Sequence, residues 1–165
     1  MVEIFNSQKL SIDSRHPIAS DESDVFAGTH TQFGQVVLKA YHPPISLNQI
    51  NTLQRLTAQA GRLFDGRRLF DFVWSINPIL EYGLFQQHGL FKTAAISPFV
   101  KGSQIWNSSL HLKDPYLSNL LDAMTIELND RLQSTIIHLV PSNIKVANVA
   151  HHLIITDLCS VVAGI

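Results

Sequence analysis

The spacing of apolar residues changes period several times along the chain, and each change marks an element. Residues 36–41 read VVLKAY, short and β-branched, and Phe33-Gly34 before them supplies a turn toward Val25 and Phe26; together they predict a hairpin meander. Upstream, Leu10-Ser11-Ile12 precedes Ala19-Ser20-Asp21-Glu22-Ser23-Asp24, whose Ser and Asp side chains favour local turns, so two strands flanking a turn are expected. After Pro43-Pro44 the period lengthens. Leu47, Ile50, Leu53, Leu56, Ala60 and Leu63 recur at three and four, and Ser46 with Gln49 has the spacing of a capping box. This predicts an amphipathic helix that Gly61 or Gly66 weakens or ends, followed by a second short helical piece over Leu69, Phe70, Val73 and Trp74.

Strand-like patterning returns over residues 79–85 and 91–100, and Gln86-Gln87-His88-Gly89 between them has the length and the glycine of a hairpin loop. Both strands are expected to extend the first sheet. Asp114-Pro115 then reads as an N-cap with proline at the first helical position, opening a helix with the stripe Leu117, Leu120, Leu121, Met124, Leu128 and Leu132. Short runs at 136–140, 144–146 and 153–156 follow, linked by Pro141-Ser142-Asn143 and by Asn148. Strands, helix, strands, helix and short strands make an α+β pattern.

Composition narrows the function classes. The 165 residues, 45% hydrophobic, suffice for one core and one domain. Twelve Lys and Arg against 13 Asp and Glu leave no basic stripe, so nucleic acid is not an expected partner. The apolar runs stop well short of the roughly 20 residues that span a bilayer, and no charged region followed by an apolar run opens the sequence. No membrane span is expected, and a cytoplasmic or nuclear setting is. Cys159 is the one cysteine and cannot form a disulfide within the chain; the nearby Asp157 carboxylate opposes thiolate formation, which predicts an inert thiol. Eight histidines include the pair His151-His152, but no Cys/His spacing typical of zinc occurs, so metal binding by histidine is not expected.

Five segments, read in order, resemble the eukaryotic protein-kinase family, in phrasing most like fungal serine/threonine kinase-like proteins: HPIASDESDVFAGT at 16–29, VVLKAY at 36–41, WSINPILEYGLF at 74–85, AISPFVKG at 95–102, and IIHLVPSNIKV at 136–146 with LIITDL at 153–158. The resemblance implies one truncated domain over 1–165, with an N-lobe of antiparallel sheet plus helix to about residue 100 and a shortened helical C-lobe over 101–165. It implies that Lys39 anchors nucleotide phosphates, and strand alternation sets Val37, Lys39 and Tyr41 on one face. Asn143 and Asp157 resemble the two Mg²⁺ ligands, hard oxygen donors for a metal that bridges phosphates. Ile96-Ser97-Pro98-Phe99 resembles the hinge, with Ile96 as gatekeeper and the Phe99 backbone turned to an adenine edge. Ile18, Val25 and Val37 would roof the adenine, Val37 being bulkier than the alanine usual there. Taken singly, such residues are most often a solvated lysine, turn-forming Asx residues and core aliphatics. The ordered set, not any one motif, carries the resemblance, and it implies ATP and Mg²⁺ as cofactors, bound weakly or not at all.

The chain departs from the family where chemistry is done. Ser20-Asp21-Glu22-Ser23 stands in place of a glycine-rich loop, and a like-charge contact at about 4 Å costs roughly 1 kcal/mol in water and about 4 at an effective dielectric of ~20. No glutamate lies between Lys39 and Glu81, so Gln54, Gln59, Asp65 or Asp71 would have to partner the lysine. Where the family reads His-Arg-Asp-Leu-Lys-Pro-x-Asn, the chain reads His138-Leu139-Val140-Pro141-Ser142-Asn143, without the arginine and the aspartate. Loss of a general base alone lowers a rate by about 10²–10⁴. Asp157-Leu158-Cys159 has cysteine for glycine, and Ile165 is reached with no activation segment. The expectation is a catalytically inactive pseudokinase acting as an interaction module, its bare apolar faces covered by a protein partner or a homodimer, or else a truncated gene. The alternatives are a weakly active serine/threonine kinase or ATPase, and a non-kinase α+β adaptor.

Overall fold

The computed structural model describes residues 9–14, 16–20, 23–41, 45–64, 66–69, 71–104, 116–132, 144–147 and 152–156. Two short strands, β1 (Leu10–Ile12) and β2 (Ala19–Ser20), pair in succession with one edge of β3 (Ser23–His30), whose other edge pairs along its whole length with β4 (Gly34–Tyr41). This is the expected meander, with the first strand interrupted. The chain divides into two compact units, Met1–Gln54 with Pro78–Phe99 and Arg55–Asn77 with Val100–Ile165. Residues 55–77 fall in the second unit.

The helix α1 (Leu47–Phe64) follows β4. Its capping box forms on both sides: Gln49 N–H donates to Ser46 Oγ at 3.1 Å and Ser46 N–H to Gln49 Oε1 at 2.7 Å. Ile50, Leu53, Thr57 and Ala60 are the buried stripe. The helix passes through Gly61 and stops before Gly66, whose φ of 76° no longer continues it.

The expected second helical piece is a hairpin instead, β5 (Arg67–Leu69) and β6 (Phe72–Ile76). Phe72, Trp74 and Ile76 are buried while Val73 and Ser75 are half-buried, a period of two that so short a run did not separate from a helical one. Asp71, at φ 64°, lies in the two-residue connection.

The second predicted hairpin forms as β7 (Glu81–Gln87) and β8 (Leu90–Pro98), closed by His88 and Gly89 at φ 51° and 77°. Two successive left-handed residues match the turn to the twist of the strands. As expected, β8 joins the first sheet, pairing with β4, and the order is β1–β3–β4–β8–β7 with β2 on β3. This sheet curls. Strands β3 and β7 are not neighbours, yet the Phe26 and Phe85 rings lie 5.5 Å apart, Gln87 Nε2 donates to Asp24 Oδ2 at 2.8 Å, and His30 Nε2 stands 3.4 Å from Glu81 Oε2. The three pairs run in antiparallel order across the concave side, which encloses Leu10, Phe26, Val36, Leu38, Ala40, Ala94 and Ile96.

The second unit adds β9 (Gly102–Gln104), α2 (Tyr116–Leu132), β10 (Ile144–Ala147) and β11 (His152–Ile155). Its sheet runs β5–β6–β11–β10–β9, with β6 and β11 parallel and the other pairs antiparallel. A helical lobe was expected here; among the described residues it is a mixed sheet with one helix. In α2, Leu120, Leu121, Met124, Leu128 and Leu132 are buried as the stripe predicts, while Asp114 and Pro115 and the run 136–140 lie outside the described residues. Trp74, Ile144, Leu153 and Ile155 are fully buried in the sheet. No described helix is long and apolar enough to cross a membrane. The fold class is α+β.

Candidate functional site

Lys39 sits in β4, the middle strand of the first sheet, paired with Val25 on one side and Ala95 on the other. Val37, two residues earlier, pairs with Ala27 and Ser97. Directly paired residues share a face, so Val25, Val37, Lys39, Ala95 and Ser97 line one surface, the convex side opposite the enclosed core. Lysine is seldom buried, and Lys39 is only 9% exposed. Ala95 and Ser97 beside it are also buried. The expected face of Val37, Lys39 and Tyr41, and the roofing pair Val25 and Val37, are therefore together.

Other predicted residues fall elsewhere. Ile96 pairs with Leu38 and Glu81 and belongs to the enclosed core, so it faces away from Lys39 and cannot gate a site beside it. Ser97 is the hinge-segment residue on the lysine's side. The cause is register: a step of one residue along a strand reverses the face. The Phe99 N–H donates to the Gln35 carbonyl at 3.2 Å, which engages that part of its backbone within the first unit. Ile18 donates its N–H to the Val25 carbonyl at 2.7 Å, and its side chain is 59% exposed. The expected metal ligands Asn143 and Asp157 lie outside the described residues, as do Asp21, Glu22, Asp65 and the loop 138–142.

Of the residues weighed as partners for the lysine, Gln59 is exposed on α1 and Asp71 belongs to the β5–β6 connection rather than to a helix. Gln54 is half-buried and donates Nε2 to the carbonyls of Ile79 and Leu80 at 3.3 and 3.2 Å, tying α1 to the segment that leads into β7.

One polar pair was not foreseen. His30 is buried among core residues; its Nδ1 accepts the Gln32 N–H at 3.0 Å, and its Nε2 stands 3.4 Å from Glu81 Oε2 without a hydrogen bond between them. Its ring lies 4.7 Å from that of Phe33. Strand alternation sets His30 on the side of Phe26, and a polar group there calls for a partner, which is the one sequence signal for the pair. In the second unit His152 Nε2 stands 2.7 Å from Ser75 Oγ, while His151 lies outside the described residues. Among the described residues no three His, Cys, Asp or Glu side chains gather as metal ligands would.

No protein-family model matches the chain, and no curated protein matches it in sequence. The Lys39 surface must therefore be read from its own chemistry: a nearly buried cation on a rigid middle strand, flanked by two small side chains and two β-branched ones. On that face Val37, Lys39, Ala95 and Ser97 are buried and Val25 is half-buried, and Lys39 already has an interaction within the chain.

Proposed function

We propose that this chain is a kinase-like domain that does not transfer phosphate and works as an interaction module, with residual ATP binding along the Lys39 surface. The observation that carries this is the near-complete burial of Lys39 on the middle strand, on one face with Val25 and Val37. The antiparallel sheet followed by α1 supports an N-lobe-like first unit; a shortened C-lobe is part of the proposal. In this reading Lys39 meets a phosphate, Val25 and Val37 meet the adenine, Ser97 takes the position first assigned to Ile96, and Asn143 and Asp157 would hold Mg²⁺. Bound ATP·Mg would supply the phosphate charge that Lys39 neutralises. The absence of transfer rests on the sequence His138-Leu139-Val140-Pro141-Ser142-Asn143, which has no carboxylate to orient a substrate hydroxyl.

Thermal unfolding of the full chain with ATP and Mg²⁺ tests it. Ligand at ~100 times its dissociation constant adds about 2.7 kcal/mol of stability. The expected result is a rise in melting temperature that Lys39→Met removes, with phosphate transfer no greater than for that variant. No rise would eliminate nucleotide binding and leave the interaction role; transfer above the Lys39→Met control would favour a weak kinase or ATPase.

A further inference from the structure

The outer face of the last turns of α1 and the strand that follows carry a concentration of cations. Four of the six arginines of the chain, Arg55, Arg62, Arg67 and Arg68, fall within residues 55–68, and all four are exposed. Residues 25–64 contain no Asp or Glu, although the formal net charge of the whole chain is −1, so positive charge is segregated here. Arg55 and Arg62 are seven residues apart on α1, with exposed Ala58 and Gln59 between them, and these four positions make one helix face.

Three of the four have a use within the fold. Arg67 Nη1 donates to the Leu63 carbonyl at 3.2 Å, and Arg62, in the last turn, complements the negative end of the helix dipole. Arg68 lies on β5, an edge strand, where a charge discourages indiscriminate strand pairing. Arg55 has neither use, because the dipole's effect fades beyond the last turn and Arg55 stands more than two turns before Phe64. Among the described residues none of the four forms an ion pair, and Asp71, beyond β5, is the one described carboxylate within residues 55–77. A guanidinium grips a carboxylate through two parallel hydrogen bonds, and Arg55 and Arg62 stand about 10 Å apart along the helix axis, so two carboxylates at that spacing meet both.

We infer that this face docks an acidic protein segment, whose carboxylates engage Arg55 and Arg62 while further acidic residues meet Arg67 and Arg68. The matching spacing of about 10 Å is that of residues seven apart on a helix or three apart on an extended chain. A nucleic acid fits less well, because four cations at one end of a helix are few for a polyanion and the net charge of −1 sets the rest of the chain against it. The inference rests on the interaction-module reading, to which it adds the chemistry of the partner, and it does not involve the Lys39 surface.

Fluorescence anisotropy of the full chain with a labelled glutamate-rich peptide tests it, alongside a lysine-rich peptide and a single-stranded DNA oligonucleotide of the same length. The acidic peptide is expected to bind, more weakly as salt rises, and the lysine-rich peptide not to bind. Arg55→Glu with Arg62→Glu should weaken binding about tenfold or more at an unchanged melting temperature, since both side chains are exposed. Arg55→Gln with Arg62→Gln reads the same loss without reversing charge, and Arg55→Lys with Arg62→Lys should retain part of the affinity. Lys39→Met should bind the peptide as the wild type does, so a loss here is separable from a loss of nucleotide binding, and phosphate transfer remains the test of the underlying reading. No binding of the acidic peptide, binding that survives both double changes, or DNA bound at least as tightly would overturn the inference, the last by marking a general polyanion surface. Self-association that the double change abolishes would also overturn it, by assigning the face to a second copy.

Discussion

His30 and Glu81 belong to β3 and β7, which β4 and β8 separate in the sheet, yet His30 Nε2 stands 3.4 Å from Glu81 Oε2. The curl of the sheet brings them together. Removing one partner leaves the other facing an apolar enclosure, and because Glu81 is 22% exposed the loss is moderate. Glu81→Leu is expected to destabilise the chain by about 1–3 kcal/mol. The double change His30→Phe with Glu81→Leu should cost less than the sum of the single changes, read from urea denaturation midpoints; strict additivity would show that the two do not interact.

Ile96 separates stability from ligand binding. It is fully buried with Leu38 on the concave side, away from Lys39. Ile96→Ala should lower stability by about 2–5 kcal/mol while leaving any ATP-induced rise in melting temperature intact. A true gatekeeper would alter the nucleotide response as well.

The reciprocal hydrogen bonds of Ser46 and Gln49 satisfy the first free N–H groups of α1. Ser46→Ala should therefore cost about 1 kcal/mol, visible in the denaturation midpoint, and Ser46→Asp should restore most of it.

Gly28 pairs with Ile12 in the β1–β3 ladder. A Cβ there would lie 2.6 Å from the Ser11 carbonyl oxygen, so Gly28→Ala must push β1 outward, at roughly 1–3 kcal/mol. Hydrogen exchange should show protection lost at Leu10–Ile12 while the β3–β4 ladder keeps its own.

What the residues determined alone were the elements whose pattern is long or whose turn chemistry is specific. The stripe from Ile50 to Ala60 and the one from Leu120 to Leu132 span enough turns for a period of 3.6 to emerge, and His88-Gly89 is a turn signal that stands by itself. The face shared by Val37 and Lys39 follows from alternation within one strand and needs no partner. Tertiary structure decided the rest, because it depends on which strands meet and in what register. Residues 67–76 are a hairpin because β6 is held beside β11, far along the chain and parallel to it. Ile96 rather than Ser97 enters the core because the β4–β8 ladder sets Leu38 against it, and one residue of slip would exchange them. His30 finds Glu81 only because the sheet curls, a property of packed side chains that no local pattern encodes.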